Sequence, residues 1–193
     1  HLPMLSELGF IHLPWAIPDD WIDDKPIVFH NQGKVALFGG SQSPAYDLRN
    51  WCRQQPGVSS YANSGCEQKV MSDREFFHWL GGFDAIIAAG SDDPRFKLTT
   101  PKYFEIAAAG ALLFAQETDD LAGLGFEHGV NCVTFTRATF RQRVEEYLAT
   151  RDDPRWIQMR EAGRALVRTR HTISVRIDAL ADLASPAPLA HAA

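Results

Sequence analysis

No stretch of this 193-residue chain approaches the roughly 20 consecutive apolar residues that a membrane helix needs, so no transmembrane segment is expected. Cysteine is scarce: Cys52, Cys66 and Cys132 form no CxxC pair and leave one over, which excludes a disulfide framework and favours core or loop thiols in a reducing compartment. No His-x-Glu, His-Glu-x-x-His or Cys/His cluster has metal-ligand spacing, and no metal site is expected. Excess positive charge is also missing. A net charge of −5 argues against broad nucleic-acid binding, although nine of the 14 arginines fall between Arg141 and Arg176. That run reads as the solvated face of terminal helices, the other reading being a docking surface for an anionic partner. The start at His1 carries neither an initiator Met nor a signal peptide, and reads as a piece of something longer.

What is present is a regular alternation. Residues 1–33 hold four prolines without sustained periodicity and are expected to form an extended linker or arm, not a core element. From Lys34 the apolar runs Val35–Phe38, Val58–Tyr61, Asp84–Ala89, Ala111–Ala115 and Asn131–Phe135 alternate with helical stretches near Tyr46–Gln55, Asp73–Leu80, Pro101–Ala109, Asp119–Gly125 and Thr139–Thr150. Strand alternating with helix predicts an α/β domain over 34–184: a doubly wound parallel sheet with C-terminal helices. Asp153-Pro154 opens the final helical region as cap and first helical residue, and its apolar spacing carries the helix past His171 to Leu180. His171 itself reads as a packing or capping histidine. The tail 185–193 is expected to fray.

The chemistry concentrates after the strands, where ligands of parallel sheets bind. Gly39-Gly40-Ser41-Gln42-Ser43 permits close backbone approach to a phosphate or sugar, or is simply a turn; it is not GxGxxG, which disfavours a nicotinamide or flavin site. The loop from Gly90 to Thr99 brings Arg95 and Lys97 with hydroxyls up to the helix that starts at Thr100-Pro101-Lys102. Read alone it is solvated; beside that helix start it becomes a diphosphate clamp. Thr100 is expected to cap the helix with its hydroxyl, Pro101 suits the first helical position, and Gly110 suits a left-handed stop. Glu105, one turn in, could accept from a vicinal diol or pair with a surface neighbour. Asp92 and Asp93, one of several Asp pairs at turns, could hold a cation.

Four blocks in collinear order, Val35-Ala36-Leu37-Phe38-Gly39-Gly40 with Tyr46-Asp47-Leu48-Arg49, Lys102-Tyr103-Phe104-Glu105-Ile106-Ala107-Ala108-Ala109-Gly110, Glu127-His128-Gly129-Val130-Asn131, and Ala162-Gly163-Arg164 with Arg170-His171-Thr172 and Arg176, resemble the carboxyl-terminal domain of GT-B glycosyltransferases. The likeness is nearest to the group-1 branch that includes the spore-maturation-protein type, and spans about Lys34 to Leu183.

The resemblance implies a Rossmann-like half of a GT-B fold that binds a nucleoside diphosphate sugar as donor substrate, with no separate cofactor. It implies that Glu105 binds the ribose, that Gly39, Gly40 and Ser41 lie near the diphosphate, and that Arg49, Arg95, Lys97 and Lys102, with Thr99 and Thr100 beside them, neutralise the phosphates. Lys102 and Glu105 are the expected catalytic residues. The loop 62–70 sits where relatives contact the base. Many relatives carry a further Glu eight positions before Glu105, where this sequence has Lys97. The acceptor site and catalytic base of such enzymes belong to an amino-terminal domain for which this chain has no room, so an N-terminal acceptor-binding domain or partner chain is expected, without which the chain is inactive. The location implied is cytoplasmic, peripheral to a membrane at most through the acceptor. The rival reading is a non-catalytic Rossmann-like sugar-nucleotide sensor or assembly partner. A phosphoacceptor receiver is disfavoured, since no acidic pair follows the first strand.

Overall fold

The computed structural model describes residues 12–39, 41, 43–61 and 71–184. Five strands, β1 Val35–Phe38, β2 Val58–Tyr61, β3 Ala85–Ala88, β4 Leu112–Gln116 and β5 Val133–Phe135, form one all-parallel sheet in the order β2-β1-β3-β4-β5. The central strands β1, β3 and β4 are buried along their whole length, as continuous apolar runs require when helices cover both faces. Among the described residues five α-helices do so, α1 Asp47–Cys52, α2 Asp73–Leu80, α3 Pro101–Ala108, α4 Phe140–Ala149 and α5 Pro154–Arg170, and α6 Ile173–Ala184 follows them. Alternation along the strands divides the core. Ala36, Phe38, Ile86, Ala88 and Leu113 pack against α2 and α3, whereas Val35, Leu37, Ile87, Leu112 and Phe114 pack against α1 and α4. The fold is therefore the doubly wound α/β arrangement that the alternation predicts. Among the described residues no helix is long and apolar enough to cross a membrane.

Helix α3 begins and ends for local reasons. Pro101 occupies its first turn, where a missing N–H costs nothing, and Gly110 (φ +79°) closes it, with Gly110 N–H donating to Ala107 O at 3.0 Å and Ala111 N–H to Ile106 O at 3.2 Å. Thr100 is the cap residue, but its side chain makes no capping hydrogen bond, contrary to the expectation from sequence. Two further expectations fail. Asp119–Gly125 is a series of turns: Gly125 takes φ +88°, and Asn131 braces the segment by donating to Gly125 O at 2.9 Å and accepting from Glu127 N–H at 2.8 Å. The terminal helix also breaks at His171, because the amino-terminal arm inserts there. Ile17 N–H donates to His171 O and Ile173 N–H to Ile17 O, at 2.9 and 3.0 Å, which takes the chain out of the helical ladder. No residue of α6 is buried.

The arm is extended, yet it supplies core: Ile17 and Ile22 are buried in the cluster with α2 and α3. Nor is all of the arginine run a solvated face, although Arg141, Arg155 and Arg170 are exposed. Arg160, Arg164 and Arg168 form a stripe along α5 that donates to arm carbonyls at Val28, Lys25 and Asp23, while Arg176 donates to Pro14 and Trp15. Gly163 lets α5 approach the turns, since a Cβ there would meet Asn131 O at 2.8 Å; two of the collinear sequence blocks are thus packing partners. Cys52 and Cys132 are buried thiols, both pushed up by burial.

His171 packs and caps, as expected. Its ring lies 4.9 Å from that of Phe104, and Nε2 is 2.7 Å from Leu124 O. Burial, which outweighs the Leu124 hydrogen bond, and the nearby Arg176 and Arg170 charges bring it from 6.5 down to about 4. A base whose folded pKa is lowered takes up more protons when unfolded, so its stability contribution is complete above the ordinary value and is lost as pH falls from 6.5 towards 4. The full loss is on the order of 3 kcal/mol. Urea midpoints measured across that window should fall more steeply for the wild type than for His171→Gln; parallel curves would contradict this.

Candidate functional site

A parallel sheet offers a ligand crevice beyond the carboxyl ends of its strands, at the point where strand order reverses. Here that point lies between β1 and β3, because the chain runs from β1 outward to β2 and then returns to the other side. The loop after β1 opens on Gly39, whose φ of +105° is natural only to glycine. Two cations meet there from opposite faces of the sheet. A Cβ built on Gly39 would stand 3.0 Å from Arg49 Nη1 on α1 and 3.2 Å from Lys102 Nζ on α3. Lys102 Nζ is also 3.5 Å from Phe38 O, and Arg49 Nη2 donates to Ser41 O at 3.2 Å. Arg49 is buried and lies over the Tyr46 ring at 3.6 Å, so its guanidinium is held in place by stacking. Gly39, Ser41, Arg49 and Lys102, scattered along the sequence, are brought together.

Other predicted residues are placed differently. Glu105 is half-buried on α3, one turn beyond Lys102. Arg95 is exposed and engaged within its own loop by Asp93, at 2.5 Å, and that hydrogen bond holds Asp93 down at about 2. Thr99 turns towards the β4 loop, where its Oγ1 is 2.5 Å from Thr118 Oγ1 and donates to Asp120 at 2.6 Å. Lys97 is partly buried in the same loop as Arg95. Gly40 and the base-contact loop 62–70 lie outside the described residues.

The loop after β3 is fastened by residues not foreseen from sequence. Gln116, buried at the end of β4, accepts from Gly90 N–H at 2.7 Å and donates to Ser91 O at 2.6 Å. Asp47 accepts from Ser91 Oγ and Asp92 N–H, and Arg137 bridges Asp47 and Asp92 at 2.7 and 2.6 Å. Burial raises the Asp47 carboxyl, but the Ser91 and Asp92 hydrogen bonds together with Arg137 outweigh it and hold the carboxyl below its usual range. The carboxylates of Asp92 and Asp93 are thus occupied by guanidinium groups, and among the described residues no group of three or more His, Cys, Asp or Glu could hold a metal ion. Gln116 had a sequence signal, a polar end to an apolar run. Arg137 had none.

A cavity of about 220 Å³ opens at the other end of the sheet, by the amino ends of the strands, between the arm and the carboxyl ends of α2 and α3. The crevice at Gly39 presents basic groups together with a helix start, and both favour an anion. The crevice can therefore hold a phosphorylated ligand and stabilise charge that develops on it. Residues 30–182 match the family model described as glycosyl transferase-like. No match is found among curated proteins.

Proposed function

We propose, from the premise that this chain belongs to the glycosyl transferase-like family, that the Gly39 crevice binds the diphosphate of a nucleotide sugar and that the chain is the donor-binding half of a sugar-transferring enzyme. One observation carries the reading: Arg49 and Lys102 converge on a left-handed glycine at the switch point of the sheet. In sugar transfer the bond from the anomeric carbon to the diphosphate breaks through an oxocarbenium-like state, and negative charge grows on the leaving oxygen. Lys102 Nζ and the Arg49 guanidinium, the latter fixed beforehand over the Tyr46 ring, offset that charge. Glu105, one turn further along α3, accepts hydrogen bonds from the ribose diol. The acceptor and the base that activates it come from an amino-terminal domain or a partner chain.

Calorimetric titration with UDP, GDP, ADP and TDP should find at least one ligand. Glu105→Ala should weaken that ligand about tenfold while leaving inorganic pyrophosphate, which has no ribose, unchanged. Absence of binding by all four, or a Glu105→Ala variant identical to wild type, would favour a non-catalytic assembly role; sugar transfer by residues 1–193 alone would refute the half-enzyme reading.

A further inference from the structure

Arg49 is not the only side chain of the α1 region that grips the turn after β1. Arg53, one helical turn later and the residue that ends α1, donates from Nη2 to Gly39 O, while Arg49 Nη2 donates to Ser41 O. The two arginines thus hold two carbonyls of one short turn from one side. Arg53 is half-buried, and its Nε is buried without a hydrogen-bond partner among the described residues. Such a placement has a desolvation cost that the Gly39 bond alone offsets only in part.

We propose that Arg53 is a positioning residue: it acts through the Gly39 carbonyl to lock the left-handed turn, and thereby shapes the crevice before ligand arrives, without touching the ligand. This rests on the reading of the crevice as a diphosphate site for its consequence, but not for the clamp itself. Gly39, at φ +105°, stands between the cationic groups of Arg49 and Lys102, and the Arg53 bond holds its carbonyl. Preformed geometry of this kind strengthens binding by reducing the ordering required when ligand enters.

The test compares wild type, Arg53→Met and Arg53→Lys as the full chain. In ligand-free protein, hydrogen exchange in the segment 36–48 should accelerate at least tenfold in Arg53→Met and less in Arg53→Lys, which keeps a donor. Exchange in α3 and β4 and the unfolding midpoint should stay as in wild type. Affinity for whichever of UDP, GDP, ADP or TDP binds should fall about tenfold. Unchanged exchange with weakened binding would make Arg53 a direct ligand contact and overturn the proposal. Faster exchange everywhere with a lowered midpoint would make it merely structural, and a loosened turn with undiminished affinity would show that the clamp does not serve the site. Failure of the wild type to bind any of the four diphosphates counts against the crevice reading alone, since ligand-free exchange still decides the clamp.

Discussion

Arg160→Met should lower the stability of the chain by about 3–5 kcal/mol, the range for breaking a buried ion pair by removing one partner. Arg160 and Asp84 are both almost wholly buried and meet at 3.2 Å. The guanidinium also donates from Nε to Gly110 O at 2.7 Å and from Nη2 to Val28 O at 3.0 Å. Asp84 accepts in addition the N–H groups of His30 and Gln32, at 2.8 and 2.9 Å. One ion pair therefore joins α5, the start of β3, the α3–β4 junction and the arm. Methionine replaces the aliphatic stem but not the guanidinium, and leaves a buried carboxylate without its counter-charge. Urea unfolding would measure the loss, and adding Asp84→Asn should recover part of it by removing that charge. A loss under about 1 kcal/mol would show that the carboxylate finds other solvation.

Lys102→Met should weaken nucleoside diphosphate binding roughly 10- to 100-fold, with a similar loss for inorganic pyrophosphate, because the interaction removed is a charge-assisted contact to phosphate. The unfolding midpoint, measured alongside, separates lost affinity from a destabilised fold. Arg95→Met offers the comparison. Its guanidinium is exposed and already taken by Asp93, so affinity should stay within about twofold of wild type. Calorimetry on both variants separates two of the four cations that the resemblance places at the phosphates. Equal losses would place Arg95 in the crevice after all, and no loss for Lys102→Met would remove the leading cation of the proposed site.

The contrast between these lysine and arginine residues shows where sequence reasoning stops. The central strands were legible because a fully covered parallel strand must be an unbroken apolar run, and Val35–Phe38 appears with the bounds expected. Helix α3 was legible at both ends because Pro101 and Gly110 act on backbone geometry within one turn. Asp119–Gly125 misled because Leu121 and Leu124 are spaced like a helix face, while Gly123 and Gly125 and a side chain six residues further on turn the backbone instead. The arginine stripe misled more thoroughly. A Lys or Arg on a helix looks the same in sequence whether it faces water or a buried carboxylate 76 residues away.

Local physics alone thus determined the doubly wound α/β architecture, the start and stop of α3, and the kinds of residue gathered after the strands. Only the tertiary structure decided which of them share a site. Lys102 reaches Phe38 across 64 positions, and Arg49 meets it at Gly39, because strand β3 pairs beside β1 and the covering helices lie on opposite faces. Asp93, sitting two residues before Arg95, keeps that cation in its own loop. Long-range pairing decides such contacts, and no spacing along a chain encodes which distant carbonyl or carboxylate a charged side chain will find.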